Sequence, residues 1–77
     1  MKLYLEPIDV ESTQGAPRKF QWRRKVFIVE RILDGWISQG RWWRREEKRI
    51  YLKLLTDRGI VEVYRIGEKW KLSRLFD

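Results

Sequence analysis

The stretch KFQWRRKVFIVERILDGWI, residues 19–37, decides the fold of this 77-residue chain. Phe20 and Trp22 alternate with polar residues, which is the period of a strand with one buried face. Arg23-Arg24-Lys25 interrupts the apolar pattern, and residues 26–33 resume it with β-branched and aromatic side chains suited to a pleated surface. This order predicts a tight hairpin that feeds a long strand. Because both faces of residues 26–33 carry apolar groups, we expect that strand to be covered on both sides, as in a small closed barrel.

The long strand is interrupted at Asp34-Gly35 before Trp36-Ile37 resumes the apolar run. Glycine adopts backbone conformations that other residues resist, so a kink or bulge is predicted at this point. Trp22 and Trp36 continue apolar faces, and Trp70 alternates with lysines. All three tryptophans are therefore expected in the core.

Three further strands are predicted downstream by the same alternation, at residues 49–56, 60–66 and 69–75. Short connections containing glycine join them, at residues 56–59 and 67–68. Residues 43–55 also contain good helix formers, so a short helical turn near 44–48 is compatible with the sequence. The predicted fold is a single all-β domain over residues 1–77. It has five to seven antiparallel strands in a strongly curved sheet or barrel, SH3-like or related.

Composition argues against catalysis. The chain has neither cysteine nor histidine, which removes thiolate metal sites and the commonest general base. The acidic pairs Asp9 with Glu11 and Glu46 with Glu47 are weak candidates for a metal site. No phosphate-cradling glycine motif is present. We therefore expect no enzymatic activity, no metal site and no cofactor.

Hydropathy bears on location. No segment approaches the roughly 20 apolar residues that cross a bilayer. Residues 1–7 lack the apolar region of a secretory signal. The expected location is the cytoplasm.

Charge points to a polyanionic partner. The net charge is +7 and the pI is about 10.1. Residues 1–17 hold one lysine and three acids, whereas residues 18–77 hold seventeen lysines and arginines and eight acids. Clustered positive charge in a small domain is typical of nucleic-acid binders. The alternative is that the charge only keeps an aromatic-rich protein soluble.

A basic and aromatic block at residues 41–49 is the strongest candidate site. Five basic and two acidic residues there accompany a tryptophan pair. Single-stranded nucleic-acid sites combine a basic groove with aromatic faces that stack bases. The predicted contacts are Arg41, Trp42, Trp43, Arg44, Arg45 and Lys48, with Arg23, Arg24 and Lys25 of the first hairpin turn extending the path. In the alternative interpretation both tryptophans pack against the barrel, one inside and one capping it.

Two tyrosines fall on the faces away from the predicted core. Alternation places Tyr51 and Tyr64 there. They are either stacking platforms for bases or a cross-strand aromatic pair.

Motifs spread from Glu6 to Asp77 resemble those of a small uncharacterised bacterial family. As implied by that resemblance, the domains are Trp-rich and either stand alone or occur at the C-terminal end of Y-family polymerase-like proteins used in damage-induced mutagenesis. The resemblance implies a link to DNA repair or translesion synthesis and assigns no catalytic residue. The chain departs from the pattern where Arg24 and Lys25 stand in place of an expected glycine. The matching motifs are Glu6-Pro7-Ile8, Phe20-Gln21-Trp22-Arg23, Ile32-Leu33-Asp34-Gly35-Trp36, Trp42-Trp43, Val63-Tyr64, Trp70-Lys71-Leu72 and Leu75-Phe76-Asp77.

Two functions of different classes follow. The first is a non-catalytic nucleic-acid-binding module, DNA favoured, with weak sequence selectivity and a link to repair or translesion synthesis. The second is a protein-interaction adaptor that docks a polymerase-like or other repair partner through an exposed aromatic patch. A monomer or a homodimer is expected, since the acidic N-terminal strand could pair with a neighbour. A continuous basic surface around residues 41–49 would favour nucleic acid, and an apolar groove would favour a protein.

Overall fold

Six antiparallel strands close into a small barrel. The computed structural model describes residues 2–39 and 48–76. Each strand pairs with the next along the chain, and the sixth returns to the first. This confirms the all-β barrel prediction. The strands are β1 (Lys2–Thr13), β2 (Ala16–Trp22), β3 (Lys25–Gln39), β4 (Lys48–Thr56), β5 (Gly59–Ile66) and β6 (Lys69–Phe76).

The described residues form strands joined by tight turns. The helical turn considered near 44–48 lies outside them, except for Lys48, which begins β4. Within the described part of the chain, no helix is long and apolar enough to cross a membrane.

Two long strands change neighbours partway along their length. β1 pairs with β6 as far as Ile8 and with β2 from Asp9 onward. β3 pairs with β2 up to Ile28 and with β4 from Val29 to Gln39. A strand that belongs to two parts of a sheet in this way lets the sheet curl and close.

The barrel interior is filled by aromatic and aliphatic side chains from all six strands. The rings of Phe20 and Phe27 stack across β2 and β3 with their centroids 4.7 Å apart. Trp22 is buried as predicted, and Trp70 is half-buried and packs against the same cluster. The cluster consists of Ile8, Phe20, Trp22, Phe27, Leu54, Val61, Val63 and Leu72.

The first hairpin turn consists of two arginines. Trp22 pairs with Lys25, so Arg23 and Arg24 alone make the turn, with φ of 49° and 64°. Positive φ at both central residues is the geometry of a type I′ turn, which favours Asn-Gly. Left-handed backbone costs a residue with a Cβ about 1–2 kcal/mol. The turn therefore keeps this geometry although it contains no glycine, and its backbone is strained.

The β4–β5 turn holds β3 at the point where it changes neighbours. The Ile28 amide donates to Asp57 Oδ1 at 2.9 Å, and the Asp57 amide donates to the Ile28 carbonyl at 3.0 Å. Arg58 Nε donates to the Val26 carbonyl at 2.8 Å. These bonds occupy backbone groups of β3 that β4 does not reach.

The predicted irregularity in β3 is present, but the role given to glycine was wrong. The register of β3 against β4 shifts between Val29 and Arg31 and again between Ile32 and Asp34. Gly35 is not among the residues with positive φ. A Cβ at Gly35 would instead lie 3.1 Å from Leu52 Cδ2, so what the position needs is the absence of a side chain.

Two burial predictions for β3 were also wrong. Val26 and Ile28 are exposed on either side of the buried Phe27, so this part of the strand is covered on one side only. Further along, the adjacent Ile32 and Leu33 are both exposed. Trp36 is 39% exposed rather than part of the core. For Ile32, Leu33 and Trp36 the physical reason is the end of β2 pairing at Ile28, beyond which β4 is the one described neighbour of β3.

Candidate nucleic-acid interface

The centre of the predicted site attaches to the end of the β3–β4 hairpin. Gln39 and Lys48 are register partners there, and the chain between them carries the basic tryptophan-containing block. Lys48 is exposed. Arg41, Trp42, Trp43, Arg44 and Arg45 lie outside the described residues, so their predicted roles stay predictions.

An aromatic row crosses three neighbouring strands near the same hairpin. Trp36, Tyr51 and Tyr64 are register partners on β3, β4 and β5. The Trp36 and Tyr51 rings are parallel within 1°, with centroids 5.4 Å apart, and the Tyr51 and Tyr64 centroids are 5.2 Å apart. The sequence neighbours Leu52 and Val63 pack into the core, so this row lies on the outer face of the barrel.

Accessibility falls steadily along the row. Trp36 is exposed, Tyr51 is half-buried, and Tyr64 is only 4% exposed. The cross-strand interpretation of Tyr51 and Tyr64 is therefore confirmed. Of the three rings, Trp36 presents the most surface to a ligand, and the sequence interpretation had assigned it to the core.

Two arginines flank this row. The Arg49 guanidinium lies 5.3 Å from the centroid of the Tyr64 ring, a cation–π geometry. Arg74 Nε lies 3.7 Å from Glu62 Oε2. The Glu62 carboxylate is buried and accepts a 2.7 Å hydrogen bond from Ser73 Oγ. The contacts predicted from the sequence did not include Arg49 or Arg74.

Together these side chains line a shallow groove on the outer face. It offers one exposed indole ring, a stacked tyrosine, two guanidinium groups and one carboxylate already held by neighbours. Such a groove can stack a planar ring and place positive charge beside it. The lining residues are Leu5, Trp36, Ser38, Arg49, Tyr51, Glu62, Ser73 and Arg74.

The second group of predicted contacts lies elsewhere. Arg23, Arg24 and Lys25 are at the start of β3, whereas the groove is at the other end of this 15-residue strand. Among the described residues, this turn is therefore separated from Lys48 and from the groove by the length of β3.

Arg23 already has a carboxylate partner. Its Nη2 donates to Glu6 Oε2 at 2.6 Å and its Nε to Glu6 Oε1 at 3.3 Å. Trp22 Nε1 donates to Glu6 Oε1 at 3.0 Å, and the Arg23 guanidinium lies 4.6 Å from the Trp22 ring centroid. A phosphate at Arg23 would have to compete with Glu6. Arg24 and Lys25 are exposed and make no ion pair within the described residues, so they are the better candidates in this turn.

The same cluster shifts two pKa values. Hydrogen bonding from Arg23, and then from Trp22, lowers the pKa of the Glu6 carboxyl below its ordinary value. Hydrogen bonding to Glu6 raises the pKa of the Arg23 guanidinium. Both groups are therefore held in their charged forms over a wider pH range.

The acidic pair in β1 shows no sign of a metal centre. Glu11 Oε2 lies 3.5 Å from Lys19 Nζ. Across residues 2–39 and 48–76, no group of three or more acidic side chains is placed to hold an ion.

Fold and groove define a class: a small, basic, six-stranded antiparallel barrel with an aromatic groove flanked by arginines on its outer face. The protein-family model described as "Domain of unknown function (DUF6504)" matches residues 2–77. The chain belongs to that family. No curated protein and no solved structure matches it.

Proposed function

We propose that this domain is a non-catalytic nucleic-acid-binding module of weak sequence selectivity, with DNA favoured over RNA. The observation that carries the proposal is the exposed Trp36 ring, stacked on Tyr51 beside Arg49. This arrangement stands at the end of the hairpin that holds the basic tryptophan-containing block at 41–45.

Stacking is the main source of affinity in this proposal. The parallel contact with Tyr51 favours one orientation of the Trp36 ring, which reduces the conformational entropy lost when a base packs against it. A stacked base contributes about 1–3 kcal/mol and does so for any base identity. The proposed weak sequence selectivity follows from this.

In this proposal, basic side chains orient the nucleic acid and make its binding depend on salt. Lys48 and Arg49 begin β4 directly after the basic block, and Lys53 lies four residues beyond Arg49 on the same face of the strand. Basic side chains along one strand suit a phosphate backbone that runs beside the stacked bases.

The resemblance described above supports a cellular setting. Because the resemblance implies that similar domains occur at the C-terminal end of Y-family polymerase-like proteins, we place this module in bacterial DNA repair or translesion synthesis, acting in the cytoplasm. A groove that stacks bases suits single-stranded DNA, whose bases are accessible.

The test is a titration of labelled single- and double-stranded oligonucleotides, followed by fluorescence anisotropy at low and moderate salt. We expect micromolar binding that weakens steeply with salt. Trp36→Leu should weaken it roughly 5- to 150-fold, the equivalent of one lost stacked base. Arg49→Gln and the double variant Arg44→Ala/Arg45→Ala should weaken binding and reduce its salt dependence.

Arg18→Gln is the matched control. Arg18 is exposed on β2, and its replacement removes the same charge without touching the groove. Affinity equal in Arg18→Gln and Arg49→Gln would mean that the groove is not the site. Absence of binding to both DNA forms at low salt would refute the proposal.

The second candidate function is the protein-interaction adaptor that docks a polymerase-like or other repair partner. Exposed apolar side chains beside the aromatic row favour it: Ile37 is 59% exposed and Leu5 is 48% exposed. An adaptor would bind its partner with weak salt dependence and would give no signal with oligonucleotides.

A further inference from the structure

Beyond Val29, one edge of β3 has no neighbouring strand among residues 2–39 and 48–76. β2 pairs with β3 only from Lys25 to Ile28, and from Val29 to Gln39 the pairing is with β4 on the opposite side. Among the strands that the structure describes, none pairs with this second edge of residues 30–39. Backbone donors and acceptors on such an edge are a template for another strand.

The same segment exposes large apolar side chains. Residues 30–38 are all exposed, and Ile32, Leu33, Trp36 and Ile37 have exposed fractions between 37% and 59%. A run of large apolar groups along an open strand edge marks an interaction surface.

This edge carries one positive and one negative side chain on the same face, so two copies of the edge are complementary in charge. Arg31 and Asp34 are register partners of Leu55 and Lys53, which lie two residues apart on β4, so both side chains are on the outer face. Neither makes an ion pair within the described residues, and Asp34 Oδ1 accepts only the Gly35 amide at 2.8 Å.

We propose that two copies of this chain pair their β3 edges antiparallel and form a homodimer. With the two-fold axis between Ile32 and Leu33, Arg31 of each copy lies opposite Asp34 of the other. Ile32 of each copy then lies opposite Leu33 of the other. The pairing thus forms two cross-strand ion pairs on one face and two apolar pairs, and both kinds stabilise antiparallel strands.

A second copy fits this edge better than an open series of strands. A two-fold interface consumes the edge of both partners and therefore stops at two copies. The inference does not rest on nucleic-acid binding, because the groove lies on the face of the sheet and not on its edge.

The test measures the molecular mass of the full chain by sedimentation velocity over the micromolar range, with charge reversals in the proposed register. We expect the wild type to be a dimer. Arg31→Glu and Asp34→Arg should each weaken dimerisation by about tenfold or more, since each reversal creates two like-charge pairs. The double variant Arg31→Glu/Asp34→Arg restores opposite charges and should dimerise like the wild type.

Controls separate loss of pairing from loss of folding. Far-ultraviolet circular dichroism and thermal unfolding of each variant report the fold, and Arg18→Glu reverses a charge on β2 away from this edge. Arg31→Glu is the more informative single variant, because Asp34→Arg also removes the bond to Gly35. A monomeric wild type would overturn the proposal and leave the edge to a strand of another protein. A dimer that is insensitive to the single reversals, or not restored in the double variant, would overturn it as well.

Discussion

Replacing Arg24 by glycine should stabilise the domain. Arg24 has φ of 64° in a two-residue turn, a conformation that costs a residue with a Cβ about 1–2 kcal/mol. Glycine removes that strain but gains freedom in the unfolded chain, which offsets about 0.4–1 kcal/mol. The net expectation is a gain of roughly 0.5–1 kcal/mol in the free energy of unfolding. For a domain of this size, that raises Tm by about 2–8 °C.

The measurement is urea and thermal unfolding of Arg24→Gly beside Arg24→Ala. Alanine removes the same charge and the same long side chain but keeps the Cβ, so the difference between the two variants isolates the backbone effect. Arg23 remains in both, which preserves its bonds to Glu6. If Arg24→Gly were no more stable than Arg24→Ala, the assignment of strain to this turn would be wrong.

Two other substitutions test the core and the Glu6 cluster. Leu54→Ala, at a side chain with 0% exposure, should cost about 2–5 kcal/mol in urea unfolding, whereas Ile37→Ala at the exposed hairpin should change stability by about 0.5 kcal/mol or less. Glu6→Gln should flatten the acid limb of the stability profile. The folded pKa of Glu6 lies below its ordinary value of 4.5, so its contribution is present above that pH and is lost as the pH falls through the folded pKa. Thermal unfolding from pH 6 to pH 2.5 measures this, and profiles of equal slope in the two proteins would contradict the assignment.

Local pattern was enough to predict the strands and hairpins. Alternation located the strands from residue 16 onward to within a few residues, and glycine at residue 59 indicated the β4–β5 turn. Phe20 and Trp22 were placed in the core because a short strand with one buried face leaves little ambiguity.

The faces of β3 were not predictable from local pattern. Which of its side chains are buried depends on where the pairing with β2 ends, at Ile28. The end of that pairing is a property of the whole barrel. Simple alternation counted from the buried Phe27 would have placed Trp36 on the outer face, because the two register shifts cancel each other by that point. The sequence interpretation instead placed Trp36 in the core because it continues an apolar run.

The groove could not be predicted from the sequence, because its side chains come from segments that are distant along the chain. Arg49 lies next to the predicted block, but its position over Tyr64 depends on the β4–β5 register. Arg74 is brought to Glu62 only by the pairing of β5 with β6. Likewise, nothing in the local pattern indicated that Glu6 would accept hydrogen bonds from both Trp22 and Arg23.

The strand order also has a kinetic consequence. Five of the six pairings join consecutive strands through short turns or a single hairpin connection, and such local contacts form quickly. The pairing of β1 with β6 instead joins Leu3 to Arg74, and it requires the closure of a loop of nearly the whole chain. That seam also contains a register shift between Leu3 and Glu6, with Leu5 held at φ of 55°. We therefore expect the β1–β6 seam to form last during folding and to separate first when the barrel opens.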